Sequence, residues 1–142
     1  MRSAFLEQNS GVTAGVKKKV ETVLAARTLT NDDSGKVFML DAAGGAYAVT
    51  LPTALEDGVY YKFVVSEETP TGAMTIAAGS AIVSMVMKDA GGNASNSTAG
   101  TQVSNVIIGT SAQKGDYINI MAVGNEWVAE CLSSIDDAVT TS

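Results

Sequence analysis

The 142 residues suffice for one ordinary hydrophobic core with appendages, not for two. With 46% hydrophobic residues, 17% charged residues and 14 glycines placed mostly where strands must turn, the composition excludes a disordered or low-complexity chain. The net charge of −6 is uneven: residues 1–27 carry about +3 and the remainder about −9, an acidic body that repels phosphates and argues against a nucleic-acid partner.

Met1–Leu6 is followed at once by Glu7-Gln8-Asn9, too soon for a signal-peptide core, and no apolar run approaches the roughly 18 residues that span a bilayer. The expectation is a protein made and kept in a cytoplasm, with no membrane partner. Residues 1–15, interrupted by Gly11 and Gly15, read as an extended arm. From Val16 the period is ambiguous. Val16, Val20, Val23 and Leu24 fall at helical spacing, and Val20, Thr22, Leu24 and Ala26 at strand spacing. The β-branched content favours a strand, so residues 1–27 are expected to form an N-terminal arm ending in a first strand.

Residues 28–132 then read as one compact antiparallel β domain, a β-sandwich or jelly-roll-like fold of eight or nine strands. The run Leu29–Leu51 is turn, strand, tight turn, strand: Asn31–Gly35 turns, Lys36–Leu40 extends, Asp41–Gly45 turns, and Ala46–Leu51 returns until Pro52 removes a ladder donor. Val59–Ser66 alternates, with Tyr61, Phe63 and Val65 inward. Strands are expected over Ala73–Ala77, Ile82–Met87 and Val103–Gly109, with Met85 and Met87 as core filler. Lys88–Gln102 has no apolar anchor and reads as an exposed loop. Tyr117–Val123 and Trp127–Leu132 form a hairpin through Gly124-Asn125. The expected core includes Ile107, Ile118, Ile120 and Trp127; the tail 133–142 has no clear period.

The chemistry of catalysis is thinly represented. Histidine is absent, which removes the commonest general base and metal ligand, and no phosphate-cradling or nucleophile-elbow motif occurs. No catalytic residue, cofactor or metal site is therefore expected. Cys131, the sole cysteine, shares a strand face with Trp127 and Ala129 and reads as a buried small hydrophobe. The pairs Asp32-Asp33, Glu56-Asp57, Glu67-Glu68 and Asp136-Asp137 lack calcium-loop spacing and read as solvated turn residues. Four tyrosines and Trp127 leave a sugar-stacking platform open, although Tyr61 and Trp127 alternate toward the core.

Leu29-Thr30, Asp33-Ser34-Gly35-Lys36, Val49-Thr50-Leu51-Pro52, Gly58-Val59-Tyr60-Tyr61-Lys62-Phe63 and Gly124-Asn125-Glu126-Trp127 follow one another across most of the domain. In order and spacing the chain resembles the capsid decoration, or cement, proteins of tailed phages. The resemblance implies a non-enzymatic virion protein that sits on the outer capsid surface after assembly in the host cytoplasm, binds the major capsid protein, often as a homotrimer, and strengthens the shell. Tail fibres and spikes carry similar β modules, which keeps a receptor-binding module as an alternative; a carbohydrate-binding module is another.

The basic, Gly-interrupted arm on an acidic body suggests where a shell would be held. Phe5, Leu6, Val12 and Val16 would be buried on the partner, while Lys17, Lys18 and Lys19 would speed encounter with an acidic surface.

Overall fold

The computed structural model describes residues 17–79, 83–88 and 102–142. Among these residues twelve strands form: β1 (Val20–Val23), β2 (Arg27–Thr28), β3 (Val37–Leu40), β4 (Tyr47–Thr50), β5 (Tyr60–Val65), β6 (Met74–Ala77), β7 (Val83–Lys88), β8 (Gln102–Val103), β9 (Asn105–Ile108), β10 (Tyr117–Val123), β11 (Glu126–Leu132) and β12 (Val139–Thr141). One sheet runs β1-β3-β5-β10-β11-β7-β8 and the other β12-β9-β6-β4-β2. Both contribute to a single core, so the all-β sandwich expected from the sequence is the fold observed.

The ladders are mixed rather than antiparallel throughout. β1–β3, β3–β5, β7–β11, β2–β4 and β4–β6 are parallel. The cause is the path of the first half of the chain: each strand from β1 to β7 lies in the opposite sheet from the strand before it. From β1 to β6, two successive crossings return the chain beside the strand it left, in the same direction; β7 instead lies beyond β10 and β11 and pairs parallel with β11.

The segment after Leu40 is accordingly an arch between sheets, not a hairpin turn. Alternation reports which side chains point inward, and Phe38 and Leu40 of β3 and Val49 of β4 do point into one core, but it does not say whether they reach that core from the same sheet. Contacts outside any ladder hold the arch. The Ala42 amide donates to the Glu67 carboxylate, the Thr71 hydroxyl donates to the Ala42 carbonyl at 2.5 Å, and Ala42 itself is fully buried. The Tyr47 hydroxyl donates to the Val23 carbonyl (2.8 Å) and accepts from the Asp41 amide (3.1 Å), tying β4 to the opposite sheet. Gly72 packs so closely on this arch that a Cβ there would lie 2.3 Å from the Ala46 nitrogen.

The expected hairpin does form between β10 and β11, with Val123 opposite Glu126. Gly124 has φ 65 and Asn125 does not share that positive φ, the pattern of a type II′ turn.

Tyr61, Phe63, Val65, Ile118, Ile120 and Trp127 are buried, as the alternation requires. Phe38 stacks on Phe63 with centroids 5.7 Å apart, and Tyr61 lies 5.8 Å from Trp127, so an aromatic seam crosses the centre of the seven-stranded sheet. Ile107 is a correction. In the run Val106-Ile107-Ile108 either parity is apolar, and the structure buries Val106 and Ile108 while leaving Ile107 half-buried on the outer side. The parity of β1 is likewise reversed from the spacing that suggested it: Val23 is buried, while Val20, Thr22, Leu24 and Ala26 are exposed. The expected strand over Val103–Gly109 is divided between the two sheets at Ser104, and the tail contributes β12, paired antiparallel with β9. Met87 is buried; the side chain of Met85 and nearly all of the Lys88–Gln102 loop lie outside the described residues.

Candidate interaction face

The central strands of the seven-stranded sheet alternate, but their outward positions are not the polar set a solvated sandwich face carries. Tyr60, Met121 and Val128 form one cross-strand row, Lys62, Asn119 and Glu130 the next, and Val64, Tyr117 and Leu132 a third. Toward the sheet edge, Val20 and Val37 continue the second row and Thr22 and Met39 the third. Val20, Tyr60, Met121, Val123, Val128 and Leu132 all lie on this face, six of the eight large apolar side chains exposed among the described residues. The two apolar rows flank the polar row Lys62-Asn119-Glu130, and so many exposed apolar side chains gathered on one sheet face mark a candidate interaction site.

The polar groups of the face are sparse and ordered. Asn119 Nδ2 donates to Glu130 Oε1 at 3.0 Å, and Gln102 Nε2 donates to Glu126 Oε2 at 3.0 Å. Lys62 Nζ lies 4.5 Å from the Tyr117 ring centre, and Lys18 Nζ lies 5.3 Å from that of Tyr60. An open groove of about 610 Å³ runs between Lys18, Tyr60, Met121, Val128 and Glu130. Its shape is shallow and its walls mainly apolar, suited to a protein surface more than to an enclosed small molecule.

At the β1 edge the inward position beside Phe38 is occupied by Glu21, a charge where the core pattern calls for an apolar residue. Arg27 Nη1 donates to Glu21 at 2.6 Å, and Lys36 Nζ and Lys19 Nζ lie 3.1 and 3.2 Å from it. Lys36 also pairs with Asp33 at 2.5 Å, and Arg27 Nη2 reaches Asp33 at 3.3 Å. The hydrogen bond from Arg27, then those from Lys36 and Lys19, hold the Glu21 carboxyl down at about 2. Burial pushes Asp33 up, but the Lys36 hydrogen bond, the Thr30 amide and the two cations bring it net below its ordinary value. Lys36 is raised by its hydrogen bonds to Asp33 and Glu21. Glu21, Asp33 and Lys36 are thus held in their charged forms, which suits a cap over the end of the core and not proton transfer. The Arg27 guanidinium completes the cap 5.1 Å above the Phe38 ring. An inward charge on an edge strand also discourages uncontrolled strand pairing. Asp33 is a correction to the expectation of a solvated turn residue: it is only 8% exposed.

Asp116, which no motif or spacing singled out, is a second buried carboxylate. It accepts from the Gln113 amide (2.9 Å), the Ser134 amide (2.9 Å) and the Ser134 hydroxyl (2.8 Å), fastening the turn before β10 to the segment after β11. Cys131 nearby is buried, and burial, then the Asp116 charge, pushes its thiol up to about 12, as an inert core cysteine requires.

Of the residues expected to bind a shell, Phe5, Leu6, Val12 and Val16 lie outside the described residues. Lys17, Lys18 and Lys19 are exposed at the entrance to β1; Lys18 joins the outer face, whereas Lys19 is engaged with Glu21. The aromatic platform considered for sugars is divided by the fold. Tyr61 and Trp127 are buried, and Tyr60 and Tyr117, which do reach the outer face, each have a lysine over the ring. Among the described residues no cluster of three or more carboxylate, cysteine or histidine ligands occurs, and no helix is long and apolar enough to cross a membrane. No protein-family model matches the chain, and no curated protein matches it significantly.

Proposed function

We propose that the protein is a non-enzymatic virion protein of a tailed phage, a decoration protein that binds the outer head shell through the major capsid protein and stiffens it. The observation that carries the assembly part of this reading, contact between protein subunits, is the outer face of the seven-stranded sheet with its exposed apolar side chains on a tightly packed scaffold. The charged groups of the β1 edge support it, since they are committed to holding that edge closed. The phage assignment rests on the ordered motifs. In the fold these supply structural punctuation: the turn before β3, the end of β4, the start of β5 and the β10–β11 hairpin.

In this reading the basic arm makes the shell contact. Deleting residues 1–15 should leave the melting transition nearly unchanged and abolish or strongly weaken co-sedimentation with undecorated heads, while triple alanine replacement of Lys17, Lys18 and Lys19 should flatten the salt dependence. Undiminished binding by the deletion would assign the contact to the β body. One observation favours a tail-fibre or spike module as the second reading. The alternating path leaves β2 as an edge strand of the five-stranded sheet at the start of the winding, where a further strand could pair.

A further inference from the structure

The geometry points to a second copy of this chain as the occupant of the outer face, joined by a two-fold axis that runs parallel to β10. This rests on reading the face as a protein-docking surface, and it does not depend on what the arm binds. The argument comes from the order of charges in the central row. Lys62 on β5 and Glu130 on β11 flank Asn119 on β10, so the row reads positive, neutral, negative across three adjacent strands. Within the sheet the two do not pair: Lys62 lies over the Tyr117 ring and Glu130 accepts from Asn119. Among the described residues neither has an opposite charge within ion-pair distance.

Of the in-plane two-fold axes that can relate two facing sheets, those along and across the strands bring whole rows into register. An axis along β10 exchanges the β5 and β11 sides and preserves each row. It sets Lys62 of each copy against Glu130 of the other, Tyr60 against Val128, and Val64 against Leu132, with Met121 meeting its own counterpart on the axis. An axis across the strands would instead set lysine against lysine and glutamate against glutamate. Only the first satisfies both charges twice and leaves the apolar rows closed over one another. The hydrogen bond from Asn119 holds the Glu130 carboxylate toward the centre of the interface. The covered area is compact, about 20 by 25 Å from strand spacing and residue rise, which predicts a concentration-dependent dimer rather than an obligate one. Two arms would then leave one dimer, and binding of both to a shell would gain by effective concentration.

The test is a charge exchange read by sedimentation equilibrium on the full chain. Wild type should be a dimer at high concentration and dissociate on dilution. Lys62→Glu and Glu130→Lys should each weaken self-association by about tenfold or more, because each creates two like-charged contacts. Their equimolar mixture should recover a heterodimer of about wild-type affinity, since every contact in it is again between opposite charges. The double variant carrying both changes should also dimerise. Circular dichroism melts of the single variants at dilute concentration establish that they fold, and the double variant tests the same pairing if one single variant does not. Wild type that stays monomeric at high concentration, a trimer as the phage resemblance implies, or a mixture that fails to recover would each overturn the proposal. So would a deletion of residues 1–15 that dimerises when the full chain does not, which would identify the arm as the occupant. Shell binding is scored separately, by co-sedimentation with heads, so failure of the dimer and failure of the virion reading remain distinguishable.

Discussion

Ile120→Ala is the perturbation that most directly tests how β10 is divided between core and surface. Ile120 is 2% exposed and sits between Tyr61 and Ala129 in the central ladders, whereas its neighbour Met121 is 43% exposed on the outer face. The substitution removes three carbons, about 2.4 kcal/mol of transfer free energy at roughly 0.8 kcal/mol per buried methylene, and the cavity left behind raises the loss to about 3–4 kcal/mol. For a chain of this size that corresponds to a fall of about 10 °C in Tm. Met121→Ala, on the same strand, should cost less than about 1 kcal/mol at concentrations where the chain is monomeric. Urea denaturation followed by Trp127 fluorescence is a suitable assay, because the single tryptophan is wholly buried and reports exposure of the core. A loss below 1 kcal/mol for Ile120→Ala, or an equal loss for Met121→Ala, would refute the assignment of the two faces.

Two further outcomes follow from the ionisable groups whose surroundings shift them. Cys131 should resist a thiol reagent at pH 8 in the native protein and react only as the chain unfolds, since its thiol is pushed up to about 12; reaction at the rate of a free cysteine in native buffer would contradict its placement. Glu21 and Asp33 are held below their unfolded values, so they contribute stability above the ordinary carboxylate range of about 4, and that contribution is lost as pH falls toward about 2. Melting temperature should therefore drop steeply between pH 4 and 2, and Glu21→Gln should lower it near neutrality while making the acid-side drop shallower. An unchanged acid profile in that variant would remove Glu21 from the cap.

Much of the sandwich was legible because period-two alternation specifies inward residues without reference to pairing. Tyr61, Phe63, Ile118, Ile120 and Trp127 follow from it directly. What alternation cannot supply is the partner strand, which is why the arch after Leu40 read as a hairpin turn. Where both parities are apolar it loses even the inward direction, as at Ile107. β1 failed for a related reason: a charge, Glu21, stands at its inward position and is acceptable only because Arg27, Lys36 and Lys19 converge on it from other segments. The outer face was visible in principle. Tyr117, Met121, Val123, Val128 and Leu132 occupy the positions that alternation assigns to solvent, and an apolar residue at so many of them is the signal of a second interface. Asp116 had no such signal, since its partners Gln113 and Ser134 belong to separate turns that only the folded β10–β11 pair brings together.

The proposed role on a phage head is open to electron microscopy of purified particles, with the protein located by a tag on its C-terminus. A decoration protein should give knobs of density on the outer head surface that are missing from particles assembled without it and restored when it is added back. Density confined to the tail or its fibres, or heads that look the same with and without the protein, would contradict it.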